Sequence, residues 1–178
     1  MSIKLGEDQF PVFKFEELIK KQKNRNMEIP KLSYVLLNSA KIYGLKIKTS
    51  LKNNKLKKDI PKFYKNCLKK NYFIDIIPSI KTKSLYGIYK NITDEEDFTY
   101  MLGYECTENL ISNYKIQILP KGKYAFFEVI GGNKKLANAW KYIYGIWFIE
   151  SEQEREKGLD FEIYSDNKTE IFIPLKNI

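Results

Sequence analysis

The sequence predicts an α+β domain built on an antiparallel sheet, with helices on one side and a cleft on the other. Three observations carry this. Several short segments alternate apolar and polar residues, the period of a half-buried strand. Two longer segments, around Phe63 and around Trp140, repeat apolar residues at helical spacing. The order strand, helix, strand, strand then occurs twice, so the chain reads as tandem βαββ repeats with pseudo-two-fold symmetry.

The elements follow in order. Residues 1–28 form an N-terminal arm: Phe15 to Lys20 suits a short helix, and Lys20 to Asn26 is a basic, solvated run. Ile29 to Leu37 is a first strand edged by Pro30. In Lys41 to Thr49, Tyr43, Leu45 and Ile47 alternate with Gly44, Lys46 and Lys48. Asn53-Asn54 is a turn. Ile60, Phe63, Tyr64, Cys67 and Leu68 then make a helical stripe ending near Asn71, with Pro61 fitting the first turn. Tyr72 to Ser84 is a connector. Leu85 to Lys90 and Tyr100 to Glu105 are strands around a polar loop.

The second half starts with a strand, Tyr114 to Leu119, a turn at Pro120 to Lys123, and a strand, Tyr124 to Ile130. Gly131-Gly132-Asn133 is a turn before a helix; the full glycine-rich phosphate patterns are absent. In that helix Leu136, Trp140, Ile143, Tyr144 and Trp147 read as one apolar stripe, interrupted by Gly145. An acidic polar run, Glu150 to Lys157, and Gly158 follow. Asp160 to Tyr164 is a strand, Ser165 to Lys168 a hairpin turn and Glu170 to Leu175 the last strand. Matched by order, Tyr43 corresponds to Tyr124, Phe63 to Trp140, Leu85 to Asp160 and Tyr100 to Glu170. The body is thus residues 29–178, with halves of approximately 29–110 and 111–178. A ligand cleft is expected near their shared axis.

Composition narrows the chemistry. With no histidine, His-based triads, His metal ligands and His-ligated haem are excluded. Two distant cysteines, Cys67 and Cys106, do not make a zinc site and read as buried reduced thiols. No metal or cofactor is expected. The net charge of +9 comes mostly from dispersed Lys, with a single Arg, Arg25, in the first half. That reads as a solvated surface more than a nucleic-acid interface. No helix-turn-helix, membrane-length apolar run or signal-peptide core is legible, so a cytoplasmic chain without direct DNA or membrane binding is expected.

The aromatic content, 15%, bears on function through its placement. In Phe161-Glu162-Ile163-Tyr164 strand alternation puts Glu162 and Tyr164 on one face. Glu162 reads as the one negative charge on the wall of an aromatic pocket, where a buried carboxylate must hold a proton or meet a cation. A planar cation over Trp or Tyr rings satisfies both charge and stacking. Trp140 and Trp147 share a helix face, with Trp140 expected mostly in the core and Trp147 nearer the cleft. Tyr86, Tyr89 and Tyr104 are pocket candidates from the first half, with plain packing as the other account of each. Glu105 and Glu128 are alternative acids, each also explained as an edge residue in water or in a salt bridge.

Several of these motifs resemble the GyrI-like (gyrase-inhibitor-like) effector-binding domain, also found at the C-terminus of AraC-type transcription regulators. They are Lys123 to Val129 before Gly131-Gly132; Ala139-Trp140 with Ile143-Tyr144 and Trp147; Phe161 to Tyr164; and Ile171 to Pro174. The first half adds Tyr86 to Tyr89 and Tyr100 to Glu105. The resemblance covers roughly residues 29–176. It implies a tandem βαββ fold with a pocket between the halves for hydrophobic, often cationic small molecules. It places the acidic pocket position on Glu162, with Tyr164, Trp140 and Trp147 around it. The family spans regulator ligand domains, free-standing toxin-protective proteins and a branch that hydrolyses cyclopropane-bearing compounds.

Three functions therefore stand against one another. One is a sensor or sequestering module for an amphipathic cation, with a DNA-binding partner left open. The second is a hydrolase of reactive xenobiotics using Glu162 as general acid or base with Tyr164 assisting; no nucleophile elbow is legible. The third is a protein-interaction role against a DNA-handling enzyme, for which a basic chain is a poor mimic of DNA.

Overall fold

Alternating segments of the chain pair into one antiparallel sheet. The strands are β1 (Lys31–Leu37), β2 (Ala40–Ser50), β3 (Ile80–Lys90), β4 (Asp97–Cys106), β5 (Lys115–Leu119), β6 (Gly122–Ile130), β7 (Phe161–Tyr164) and β8 (Lys168–Leu175). The computed structural model describes residues 29–93, 95–107 and 113–176. The expected short helix and basic run of the N-terminal arm lie outside the described residues.

Across the sheet the order is β1-β6-β8-β7-β3-β4-β2-β5. Exchanging β1 with β5, β2 with β6, β3 with β7 and β4 with β8 turns this order into its own reverse. A pseudo-two-fold axis thus passes between β3 and β7, which pair from Leu85↔Tyr164 to Ile88↔Phe161. The repeat is longer than the expected βαββ by one leading strand, and those leading strands are exchanged. β1 pairs with β6 of the second half, and β5 pairs with β2 of the first.

Among the described residues the two long helices lie on one face, as the α+β reading requires. Helix α1 (Leu56–Lys69) packs Phe63, Tyr64 and Cys67 against Tyr43, Leu85, Tyr100 and Leu102. It starts a turn earlier than expected because Asp59 anchors that turn. Its carboxylate takes the Lys55 ammonium and accepts from Thr49 Oγ1 of β2 at 2.8 Å. Pro61 therefore sits inside the helix, on its exposed side, where the hydrogen bond lost with its N–H falls among exposed residues. The connector after α1 is also more ordered than expected. Ile74–Ser79 is 3-10 helix, and β3 begins at Ile80, with a register shift between Ile80 and Leu85.

Helix α2 (Asn133–Tyr142) does not stop at Gly145. It continues as a π-turn, Ile143–Trp147, and ends in the turn Phe148–Glu150. The π-turn splits the expected single stripe into two. Ala139, Ile143 and Trp147 pack on Ala125, Phe127, Val129 and Ile171 of the second half. Trp140, Tyr144 and Phe148 instead stack as a ladder, with ring centroids 6.1 and 5.5 Å apart.

The other face carries its own core, with Ile42, Tyr86, Ile88, Met101, Tyr124, Phe161 and Phe172 buried together. Cys67 and Cys106 are buried free thiols. Among the described residues no helix is long and apolar enough to cross a membrane.

Candidate functional site

Glu162 lies in β7 beside the pseudo-two-fold axis and is fully buried. Its side chain points to the face that bears the helices, not to the opposite face where the cleft was expected. The reason is register. Glu162 pairs with Gly87, and Tyr164 with Leu85, so both share the face of α1 and α2. At Gly87 the missing side chain is what makes room: a Cβ there would stand 2.5 Å from the Tyr100 hydroxyl and 2.8 Å from that of Tyr164.

The carboxylate is held by neutral donors from both halves. Trp140 Nε1 of α2 donates to Oε1 at 2.5 Å, and the Tyr164 hydroxyl donates to Oε2. Tyr100 of β4 donates to the Tyr164 hydroxyl at 2.9 Å, so the chain of donors crosses the axis. Tyr89 of β3 also hydrogen-bonds to Glu162 and meets the Trp140 indole edge-on at 5.4 Å. Tyr64 of α1 closes over Tyr164 edge-on at 5.6 Å. Trp140 belongs to the cores of both halves, so it seals the seam between them.

Burial raises the pKa of Glu162, and the bonds from Tyr164, Trp140 and Tyr89 pull it back. Burial, then the charge of Glu162, pushes Tyr89, Tyr100 and Tyr164 well up, so these phenols keep their protons and act as donors. Among the described residues no cation pairs with Glu162. The neighbouring acid differs. Asp160, also buried, takes Arg155 Nη2 at 2.8 Å and the Tyr144 hydroxyl.

Four expected site residues come together here: Glu162, Tyr164, Trp140 and Tyr89. Trp140 and Trp147 exchange the places expected of them. Trp147 is buried against Phe127, edge-on at 4.9 Å, because the π-turn rotates it into the second-half core. Tyr104 packs edge-on to Phe73 beneath α1. Tyr86 and Glu105 meet on the opposite face, 3.4 Å apart, with Lys81 on the Glu105 carboxylate at 2.8 Å. They border a hollow of about 190 Å³ with Leu37, Leu119 and Phe161. Glu128, expected at an edge, lies in β6 between β1 and β8 and is bonded to Lys168 at 3.2 Å.

Sequence reasoning missed Tyr100, Tyr64, Tyr144, Asp160 and Arg155. Two of these carried a signal: Asp160 shares a strand face with Glu162, and Tyr144 lies one turn from Trp140. Arg155, inside an acidic polar run, carried none.

A family model described as integron-associated effector-binding protein matches residues 33–175. No curated protein matches the chain in sequence. Among solved structures, SAV2435 bound to tetraphenylphosphonium superposes with a TM-score of 0.69 at 18% identity, over 83% of this chain and 94% of that one. An integron cassette protein from the mobile metagenome of Vibrio cholerae gives 0.62 at 19%, over 85% and 100%. The C-terminal domain of EcmrR gives 0.57 at 16%, also over 85% and 100%. Likeness at these identities shows a shared fold, the GyrI-like one.

Proposed function

Since the chain belongs to the family of integron-associated effector-binding proteins, we propose that its effector is an amphipathic organic cation taken up at Glu162. The chain acts as a sensor or sequestering module for such compounds. One observation carries the reading: a fully buried carboxylate, ringed by Trp140, Tyr89, Tyr100 and Tyr164, has neutral donors for all its partners among the described residues. Removing a carboxylate from water without a counter-ion is costly, and hydrogen bonds from neutral groups offset only part of that cost. A cation with aromatic rings supplies the missing charge, and its apolar body takes the place of the ring contacts it displaces.

On this reading the ligand enters past α2. Glu162 has no exposure, and Trp140, the donor carried by a helix, is the part of its cover that this reading moves. The N-cap of that helix is Gly132, which makes no side-chain capping bond. The likeness to SAV2435, solved with a lipophilic monocation, supports the choice of probe.

The test is titration of tetraphenylphosphonium into the wild type and Glu162→Gln, read by calorimetry and by tryptophan fluorescence. Saturable binding weakened at least about tenfold in the variant, with the fold retained, is expected. Equal affinities would remove Glu162 from the site. Mass spectrometry of the compound after incubation decides the hydrolytic alternative: full recovery supports a binding module.

A further inference from the structure

Asp160 and Glu162 stand two residues apart on extended chain, both reaching under α2, so the strand repeat separates them by about 7 Å. Glu162 has neutral donors, while Asp160 pairs with Arg155. Two carboxylates and one guanidinium leave the cluster a single net negative charge.

The donors from α2 sit on one rigid ladder. Trp140 covers Glu162, Tyr144 covers Asp160, and the two rings stack within 9° of parallel. They are one helical turn apart, so a movement that lifts Trp140 from Glu162 lifts Tyr144 from Asp160. Arg155 does not leave with them. Apart from Tyr144, its partners are Asp160 Oδ1, the Gly158 carbonyl at 3.0 Å, the Glu156 carbonyl at 3.2 Å and a backbone bridge to Leu175 of β8. All belong to its own loop or to the sheet. The opened site therefore exposes both acids with Arg155 still in place. The residue type fits: among 31 basic residues, the one held in this buried position has a fixed planar charge that burial does not remove.

We propose that Arg155, by occupying Asp160, sets the charge the site accepts: it admits singly charged cations and rejects doubly charged ones. A second cationic centre placed one strand repeat from Glu162 meets a guanidinium instead of a free carboxylate. This rests on the reading of Glu162 as a cation site and names the ligand class within it.

Two probes on one ring frame test it: N-methyl-4-phenylpyridinium, with one charge, and N,N′-dimethyl-4,4′-bipyridinium, with two charges about as far apart as the two acids. Calorimetry on the full chain should show the wild type binding the monocation on the order of tenfold more tightly. Arg155→Gln should shift the ratio toward the dication by a similar factor, and Arg155→Gln with Asp160→Asn should restore the original preference. Asp160→Asn alone leaves Arg155 uncompensated, so monocation affinity should fall about tenfold with Glu162 intact. That arm carries the test where circular dichroism shows Arg155→Gln unfolded. Equal wild-type affinity for the two ions overturns the inference, as does a ratio unmoved in a folded Arg155→Gln or a monocation affinity unmoved in Asp160→Asn. Failure of the cation site itself looks different: no binding of either ion to the wild type, or binding untouched by Glu162→Gln.

Discussion

At the residue scale, Glu162 ties stability to the proposed cation binding. Burial raises its pKa above the ordinary 4.5. A carboxyl raised in the folded state favours folding while it is protonated. That contribution is full below about pH 4.5 and is lost as pH climbs through the folded-state value. The stability of Glu162→Gln relative to wild type should therefore improve from pH 4 to pH 7, read from urea midpoints. A difference that stays flat over this range would show that Glu162 does not change charge on folding. Binding runs the opposite way, because a cation needs the ionised form: tetraphenylphosphonium affinity should rise with pH over the same interval. Gly87 is the other residue with a sharp expectation. A methyl group there collides with the Tyr100 and Tyr164 hydroxyls, which are ends of rigid rings. Gly87→Ala should lower stability by about 1–3 kcal/mol and weaken the cation site with it.

At the scale of the element, α2 is a wall of the site and, on the proposed reading, its door. One of its faces is fixed to the sheet by Ala139, Ile143 and Trp147, while Trp140 and Tyr144 cover the two acids. The Gly132 cap has extended dihedrals and open space around its Cβ position. Gly132→Asp should therefore cap the helix, raising stability by a few tenths of a kcal/mol. If α2 is the door, the same stabilisation opposes opening, and ligand affinity should fall about twofold. Hydrogen exchange gives the direct measurement: the ligand should speed exchange of the amides in 133–142. Unchanged exchange there would place the entrance elsewhere.

At the scale of the whole molecule, the exchanged leading strands decide what can fold alone. The sheet edges are closed by β1 on β6 and β5 on β2, each a pairing between halves. Cutting between residues 108 and 112 should leave two fragments that are unfolded separately and regain the far-ultraviolet spectrum of the intact chain on mixing. A first-half fragment that folds by itself would show that the core around α1 suffices. The network of donors supports the cooperative outcome, since Tyr89 from one half and Trp140 and Tyr164 from the other meet on one carboxylate, with Tyr100 of the first half bonded to Tyr164.

Much of this was legible in the chain, because periodicity is a local property. Alternation in Tyr43 to Ile47 and in Phe161 to Tyr164, and the stripes around Phe63 and Trp140, specify strands, helices and their order without reference to anything distant. The motif around Glu162 likewise marked the acid and its near neighbours Tyr164 and Trp140. Pairing and facing are not local. Which strand lies beside which settled that Glu162 looks at the helices, that Tyr86 and Glu105 look away from it, and that Tyr100 joins it across the axis. A π-turn, an adjustment of one residue within α2, carried Trp147 into the core and left Trp140 over the acid. Asp160 is paired with Arg155, and no spacing announces that pair, because it forms where a loop folds back on the sheet. Periodic forces write themselves into sequence one residue at a time; register and charge pairing arise only when distant segments meet.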